Sequence, residues 1–149
     1  MTLTEPLQGL ESLVVWKKTS QFALKICKDI VTKLPDCEKY ALSSQLRRSS
    51  QSIAANIAEG YGRYYYQEGV HFSYIARGSL EETYNHLVYA KGMRYLSDSD
   101  FSELFQDLQE IRKLIDGYVI YLKRSKRGIN EPGASYDINQ PVTPDSDFV

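Results

Sequence analysis

The feature that most limits the possible folds of this chain is an uninterrupted apolar pattern near its C-terminal end. Seven large apolar residues follow one another there at alternating spacings of three and four. They are Phe101, Leu104, Leu108, Ile111, Ile115, Tyr118 and Leu122. Because an α-helix turns once every 3.6 residues, this spacing places all of them on one face. The segment therefore predicts a long amphipathic helix.

Both ends of this helix carry recognisable signals. Asp100 followed by Glu103 is typical of a capping box, in which the two residues bind each other's free backbone N–H groups. At the other end, the cations of KRSKR suit the negative pole of the helix, and Gly128 suits a left-handed exit. We expect the helix to begin near Asp100 and to end before Gly128.

Three earlier segments repeat the helical period, at residues 12–34, 38–63 and 65–96. The first has a stripe of Leu13, Trp16, Ser20, Ala23, Cys27, Ile30 and Leu34, with Val15, Phe22 and Ile26 beside it. The second has Leu42, Leu46, Ile53 and Ile57, and the third has Phe72, Ala76, Leu80, Leu87, Ala90 and Met93. Pro35 and short polar connections separate the segments. The pattern predicts an all-α, antiparallel, up-down-up-down four-helix bundle.

Charge divides the chain into two parts. All 18 Lys and Arg residues fall at or before Arg127, whereas four of the 19 acidic residues lie beyond it. We therefore predict a mildly basic bundle over residues 1–127 and an acidic, flexible tail over 128–149. No apolar run is long enough to span a membrane and the N-terminus lacks a signal peptide pattern, so we expect a cytoplasmic protein with Cys27 and Cys37 reduced.

Enzyme motifs are missing from the sequence. It contains no phosphate-binding GxxxxGK[ST] loop, no HExxH, no GxSxG and no GxGxxG. Glu82 and His86 lie four residues apart in a single copy, whereas di-iron bundles use two Glu-x-x-His pairs. Glu81 and Glu82 point about 100° apart on a helix and cannot act together as acid and base. We expect no catalytic residues, no metal and no cofactor.

A second, polar row runs along the second segment beside its apolar seam. It consists of Gln45, Arg48, Ser52, Ala55, Glu59 and Arg63, with Asn56 next to it. The third segment offers matching small and polar residues, namely Gly78, Ser79, Glu81, Glu82 and Asn85. Small residues let another backbone come close, which a free surface would not require. We favour a tight polar joint between helices over a ligand site.

Four tyrosines and an arginine meet in YGRYYY, residues 61–66. Tyr64, Tyr65 and their neighbours could stack on unpaired bases while Arg63 contacts phosphate. Tyrosine is also common in protein interfaces, because its ring is amphipathic and orders at low entropic cost. We favour the protein interface.

Three stretches together resemble a known family. They are VWKKTSQFALKI, LPDCEKYALSSQLRRSSQSIAANIAEGYGR and FSYIARGSLEETYNHL. In order and spacing they resemble the four-helix-bundle proteins of 23S ribosomal RNA intervening sequences, over about residues 10–122. The accessory variability determinants of diversity-generating retroelements look like relatives of the same fold.

This resemblance implies a homopentameric barrel without catalytic activity, and for the retroelement branch it implies binding to a reverse transcriptase and its template RNA. Within the motifs, Asn56, Glu59, Gly60 and Arg63 match N-I-A-E-G-x-G-R, and Gly78, Ser79 and Glu82 match G-S-x-x-E. Arg47 and Arg48 occupy the arginine pair that follows Gln45. Ser49 and Ser50 stand where the family more often has alanine.

Two functional hypotheses remain open. The first is an oligomeric adaptor that binds structured RNA and a protein partner such as a reverse transcriptase. Its predicted RNA-binding residues are Arg47, Arg48, Lys123, Arg124, Lys126 and Arg127, and its predicted interface residues are Ser52, Asn56, Glu59, Arg63, Tyr64, Tyr65, Gly78, Ser79 and Glu82. The second is a protein-only structural scaffold, in which the arginines cap helices and pair with acids.

Overall fold

The computed structural model describes residues 9–126 and residue 128. Within these residues the fold is all-helical, with four helices and no strands, as predicted. The helices are α1 (Val14–Lys25), α2 (Leu42–Gly62), α3 (Tyr66–Gly92) and α4 (Asp98–Ser125). Short 3-10 turns precede α1 at Leu10–Ser12 and α2 at Asp36–Glu38. The predicted 128–149 tail lies outside the described residues except for Gly128.

The first predicted helix is not regular along its whole length. After α1 the chain continues as a wider π-helical turn, Ile26–Ile30, and a 3-10 turn, Val31–Lys33, before Pro35. The predicted stripe is also wrong in part, because Leu13, Trp16, Ser20 and Cys27 are only half-buried. The most buried row contains Val15, Thr19, Phe22, Ile26 and Ile30. Thr19 fits within it because its hydroxyl donates to the Val15 carbonyl, at 2.8 Å.

The predicted starts of α2 and α4 differ from the observed ones because other side chains cap them. Glu38 precedes α2, and its carboxylate accepts a hydrogen bond from the Leu42 backbone N–H at 3.2 Å. Ser97 is the N-cap of α4, since its Oγ accepts from the backbone N–H of Asp100 at 3.0 Å. The capping box predicted at Asp100 and Glu103 is therefore wrong. At the far end, Lys126 and Gly128 both adopt positive φ, at 46° and 84°.

The core confirms the predicted seams of α2 and α4. All four α2 seam residues are at most 5% exposed, and six of the seven α4 stripe residues are buried, with Phe101 partly buried. The end of α3 corrects the prediction. Met93 is 46% exposed, because α3 ends at Gly92 and Arg94 turns the chain with a φ of 62°. Phe72 is half-buried against Arg63.

Lysines of the first helical segment pair with acids of α4, and the order of the lysines along the sequence is the reverse of the order of the acids. Lys25 Nζ lies 2.6 Å from Glu103 and 2.8 Å from Asp107, and Lys33 lies 3.1 Å from Asp100. The two elements are therefore antiparallel. Burial by itself lowers the pKa of Lys25, but hydrogen bonds to Asp107 and Glu103 outweigh it and raise the pKa above its ordinary value. None of the described helices combines the length and apolar content needed to cross a bilayer.

Candidate functional site

A chain of hydroxyl and amide groups joins α2 to α3. The Thr83 hydroxyl lies 2.9 Å from Ser49 Oγ and 2.8 Å from the Ser79 carbonyl oxygen. One turn further on, Ser52 Oγ lies 2.9 Å from Ser79 Oγ. Asn56 Nδ2 donates to the carbonyl oxygen and to Oγ of Ser52, at 2.8 and 2.9 Å. Because Ser49 and Ser52 meet Thr83 and Ser79 in reverse order, α2 and α3 run antiparallel.

This polar layer lies between two helices and not around an open cavity. Ser49 and Thr83 are fully buried and satisfy each other, which removes the desolvation penalty of their hydroxyls. The structure thus places Ser52, Asn56 and Ser79 at a helix joint. Ser49 is a further joint residue that sequence reasoning missed. The sequence could have indicated this role, because Ser49 is a polar residue at a position on the inner side of the second segment.

The charged members of the predicted joint behave differently from the small ones. Arg48 forms an ion pair with Glu82 of α3, and its Nη2 also donates to Gln45 at 3.1 Å. Glu59 pairs with Arg63, the residue that follows α2, at 2.9 Å, and Arg63 also lies 3.8 Å from Glu68 of α3. These exposed pairs contribute only about 0–1 kcal/mol each.

One predicted partner on α3 does not face α2. Glu81 forms its ion pair with Arg112 of α4, so including Glu81 in the α2–α3 joint was wrong. The exposed Asn85 lines a groove together with Leu42 and Gln45 of α2. Residues three or four apart share a helix face, whereas Glu81 lies only one position from Glu82 and points about 100° away from it.

His86 lies beside the same contact. Its Nε2 is 3.6 Å from Glu82 Oε1 and is buried without a hydrogen-bond partner. Nearby, Tyr95 Oη donates to Glu38 at 3.1 Å. Desolvation raises the pKa of Tyr95, and the Glu38 carboxylate raises it further. Among residues 9–126 and 128, no group of three or more His, Cys, Asp and Glu side chains is arranged to hold a metal ion.

Glycines of the two motifs play different parts. A Cβ on Gly60 would lie 2.9 Å from Phe72 Cβ and 3.1 Å from Gly69 Cα, so α3 passes too close for any side chain there. A Cβ on Gly78 would meet nothing within 4 Å, and this position is exposed. The small size of Gly60 is thus explained by the fold of one chain, and that of Gly78 is not.

The tyrosine-rich junction joins α2 to α3. Tyr64 has a φ of 75°, is 40% exposed and packs edge-on against Tyr65. Tyr66 is only 4% exposed and belongs to the core, so it is not available as an interface residue. The Arg63 guanidinium lies over the Phe72 ring, 4.8 Å from its centroid. Of this cluster, Tyr64 therefore presents the most accessible ring to a partner.

The cations predicted to bind RNA form two separate groups. Their separation can be measured along α3. Thr83 of α3 contacts Ser49, which is close to Arg47 in the chain, and Gly69 of α3 contacts Leu122, which is next to Lys123. Fourteen helical residues separate those two levels, which is about 20 Å. Arg48 is paired with Glu82, and Lys123 donates to the Tyr74 hydroxyl at 3.2 Å. Arg127 lies outside the described residues.

Fold and contacts together define a helical-bundle protein whose main sequence motifs hold two helices against each other. Residues 11–117 match the family model for the 23S rRNA-intervening sequence protein, so the chain belongs to that family, as predicted. It is similar to the crystal structure of a protein of unknown function from the S23 ribosomal protein family of Bacteroides thetaiotaomicron. That similarity has a TM-score of 0.66 and 26% identity, and covers 72% of this chain and 96% of the other. No curated protein matches the chain.

Proposed function

We propose that this protein is a non-catalytic, homo-oligomeric adaptor that binds structured RNA and a protein partner such as a reverse transcriptase. The proposal includes an up-down-up-down helix order, a cytoplasmic location and assembly into a homopentameric barrel. The relation to accessory variability determinants is part of the same proposal. We also propose that the chain has no catalytic residue, metal or cofactor, as the sequence predicts.

The observation that carries this function is the state of the predicted RNA-binding cations. Many basic residues of the described chain are held by acids, including Lys18, Lys25, Lys33, Arg48, Arg77 and Arg112. Arg47, Arg124 and Lys126, by contrast, have no acid partner among the described residues. An exposed cation without an acid partner can bind an RNA phosphate and release its counterion, and no ion pair within the protein has to be broken first. Repetition in a ring would multiply this modest charge.

Reversing two of these charges tests the RNA-binding hypothesis. We expect Arg47→Glu with Arg124→Glu to weaken binding of structured RNA by about tenfold or more at low salt, because each lost phosphate contact removes counterion release. Gel shifts at two salt concentrations measure this effect, and the salt dependence should become shallower.

The matched control is Lys17→Glu with Lys113→Glu, which changes the net charge equally at two exposed lysines outside the predicted clusters. It should keep most of the RNA affinity. An equal loss of RNA affinity in both double variants would indicate a nonspecific charge effect. If the wild-type protein does not bind RNA, the protein-only scaffold is the remaining hypothesis.

A specific surface favours the scaffold hypothesis as the second candidate. Ile75 and Tyr89 share one face of α3 with Gly78 by helical spacing, and they are 39% and 53% exposed. Glycine inside a helix destabilises by about 0.5–1 kcal/mol relative to alanine. No described residue lies within 4 Å of a Cβ at Gly78, so we infer that a second copy of the chain packs against this face.

The variant Gly78→Ala tests whether Gly78 lies in a contact between subunits. The added methyl group should crowd the second copy by about 1 kcal/mol, which shifts the concentration for half-assembly about fivefold upward. Sedimentation velocity over a concentration series measures this shift. Gly117→Ala is the control, because Gly117 is exposed in α4 and its Cβ would also meet nothing within 4 Å. Identical assembly of both variants would exclude Gly78 from the interface.

A further inference from the structure

A pocket of about 470 Å³ lies between the end of the first helical segment and the start of α2. Val31, Leu34 and Pro35 form an apolar wall. The remaining lining residues are polar or aromatic: Thr32, Asp36, Lys39, Tyr40, Ser43, Ser44 and Arg47. Ser43 and Arg47 lie four residues apart on α2 and share one face of it, and Lys39 lies in the turn before this helix.

Ser43 is the unusual residue of this pocket. It is 7% exposed, yet its hydroxyl has no hydrogen-bond partner in the described chain. The other six buried serine and threonine residues of the described chain all have one; they are Thr19, Ser49, Ser50, Ser73, Ser79 and Thr83. The Ser43 Oγ is not fully enclosed, so it can be reached from the pocket, and its hydrogen-bonding capacity is unused within the described residues. Because Ser43 lines the pocket, its free hydroxyl is available to a molecule bound there.

The start of α2 adds free backbone donors at the same place. Glu38 accepts from the Leu42 N–H, but the N–H groups of Ser43 and Ser44 reach no backbone carbonyl ahead of the helix. Ala41, at the N-cap position, provides no side-chain hydrogen bond, and the first turn holds no acid. The N-terminus of this 21-residue helix therefore presents two free backbone donors beside the Glu38 carboxylate, which lies at the positive pole of the helix.

Charge and shape point to a phosphate carrying an aromatic group. Lys39 and Arg47 bring two cations to the pocket that have no acid partner among residues 9–126 and 128, against one lining acid, Asp36. Tyr40 is 88% exposed at the rim, with Lys39 Nζ 5.3 Å from its ring centroid. Such a ring offers a stacking surface for a base.

We propose that this pocket binds the phosphate group of a nucleotide. Ser43 Oγ and the first-turn amides of α2 donate to phosphate oxygens, Arg47 and Lys39 neutralise the charge, and Tyr40 stacks on the base. The nucleotide is either free or part of an RNA chain. In the second case the inference rests on the proposed RNA binding, and it identifies Arg47 as part of a built phosphate site.

The test uses adenosine monophosphate and inorganic phosphate as probes of the full chain. We expect adenosine monophosphate to shift the amide NMR signals of Ser43 and Ser44, and Ser43→Ala to weaken its binding about tenfold, since a hydrogen bond to a charged group is lost. Ser43→Ala should fold with a thermal midpoint close to that of wild type, because the hydroxyl makes no hydrogen bond within the described residues. Asp36→Asn should bind more tightly, and Tyr40→Ala should weaken the nucleotide more than inorganic phosphate.

Lys113→Gln is the control, since Lys113 is an exposed cation outside both predicted RNA-binding groups and does not line the pocket, and it should bind the nucleotide like wild type. Absence of binding at millimolar nucleotide, or equal affinity of Ser43→Ala and wild type, would overturn the pocket assignment even if RNA is bound. Conversely, nucleotide binding that depends on Ser43 in a protein that does not shift RNA would support the pocket, identify a free nucleotide as its ligand, and reject the RNA adaptor.

Discussion

Replacing Ile111 by alanine should lower the free energy of unfolding by about 2–5 kcal/mol, because the substitution removes buried methyl groups and leaves a cavity. Ile111 is at the centre of the α4 stripe and is fully buried. Its neighbours in the core come from several helices, so the cavity cannot be closed by moving one side chain. Urea unfolding followed by circular dichroism measures the change.

Ile120→Ala provides the matched comparison on the same helix. Ile120 is 40% exposed, so the same deletion removes less buried surface and should cost well under half as much. Equal losses at the two positions would mean that the outward face of α4 is covered, as it would be by a second subunit. A small loss at Ile111 would contradict its place in the core.

The strongest periodic signals predicted the fold well. The α4 stripe and the α2 seam needed no tertiary information, because unbroken 3-4 spacing on a long helix leaves a single face to bury. Local competition between caps was harder to predict. Ser97 and Asp100 are both good N-cap residues in the same SDSD run, and the choice depends on where α3 ends.

Positions where helices deviate from the regular period were not predictable from spacing. The π-helical turn at Ile26–Ile30 rotates the following residues relative to α1, so the row counted through Cys27 could not stay on one face. Met93 fits the spacing of α3 but follows its last residue, Gly92. In both cases the backbone leaves the regular α-helix while the apolar residues keep the helical spacing in the sequence.

The polar joint was predictable in kind and only partly in detail. Small residues on two segments indicated a close contact, and the structure joins Ser52 to Ser79 there. The rotation of each helix decides which polar side chains cross, and sequence alone does not give that angle. This explains why Ser49 was missed and Glu81 was wrongly included. The Ser43 pocket depends on how the chain turns between two helices, which no periodicity describes.

Gly60 should tolerate no side chain at all, although a helix normally favours alanine over glycine. A Cβ there would lie 2.9 Å from Phe72 Cβ, 3.1 Å from Gly69 Cα and 3.2 Å from the Glu68 carbonyl oxygen. Two of these atoms are backbone and the third is fixed to it, so relief requires α3 to move away from α2 as a unit. Such a movement would also stretch the Ser52–Ser79 contact.

We therefore expect Gly60→Ala to destabilise the protein by about 1–3 kcal/mol, despite a gain of about 0.5–1 kcal/mol in helix propensity. Gly117→Ala in α4 gains the same propensity without a clash and should stabilise the protein. Parallel urea unfolding of both variants and wild type measures the two opposite signs. If Gly60→Ala were as stable as Gly117→Ala, the helices would not approach closely at Gly60, and the NIAEGYGR motif would require an explanation outside the α2–α3 contact.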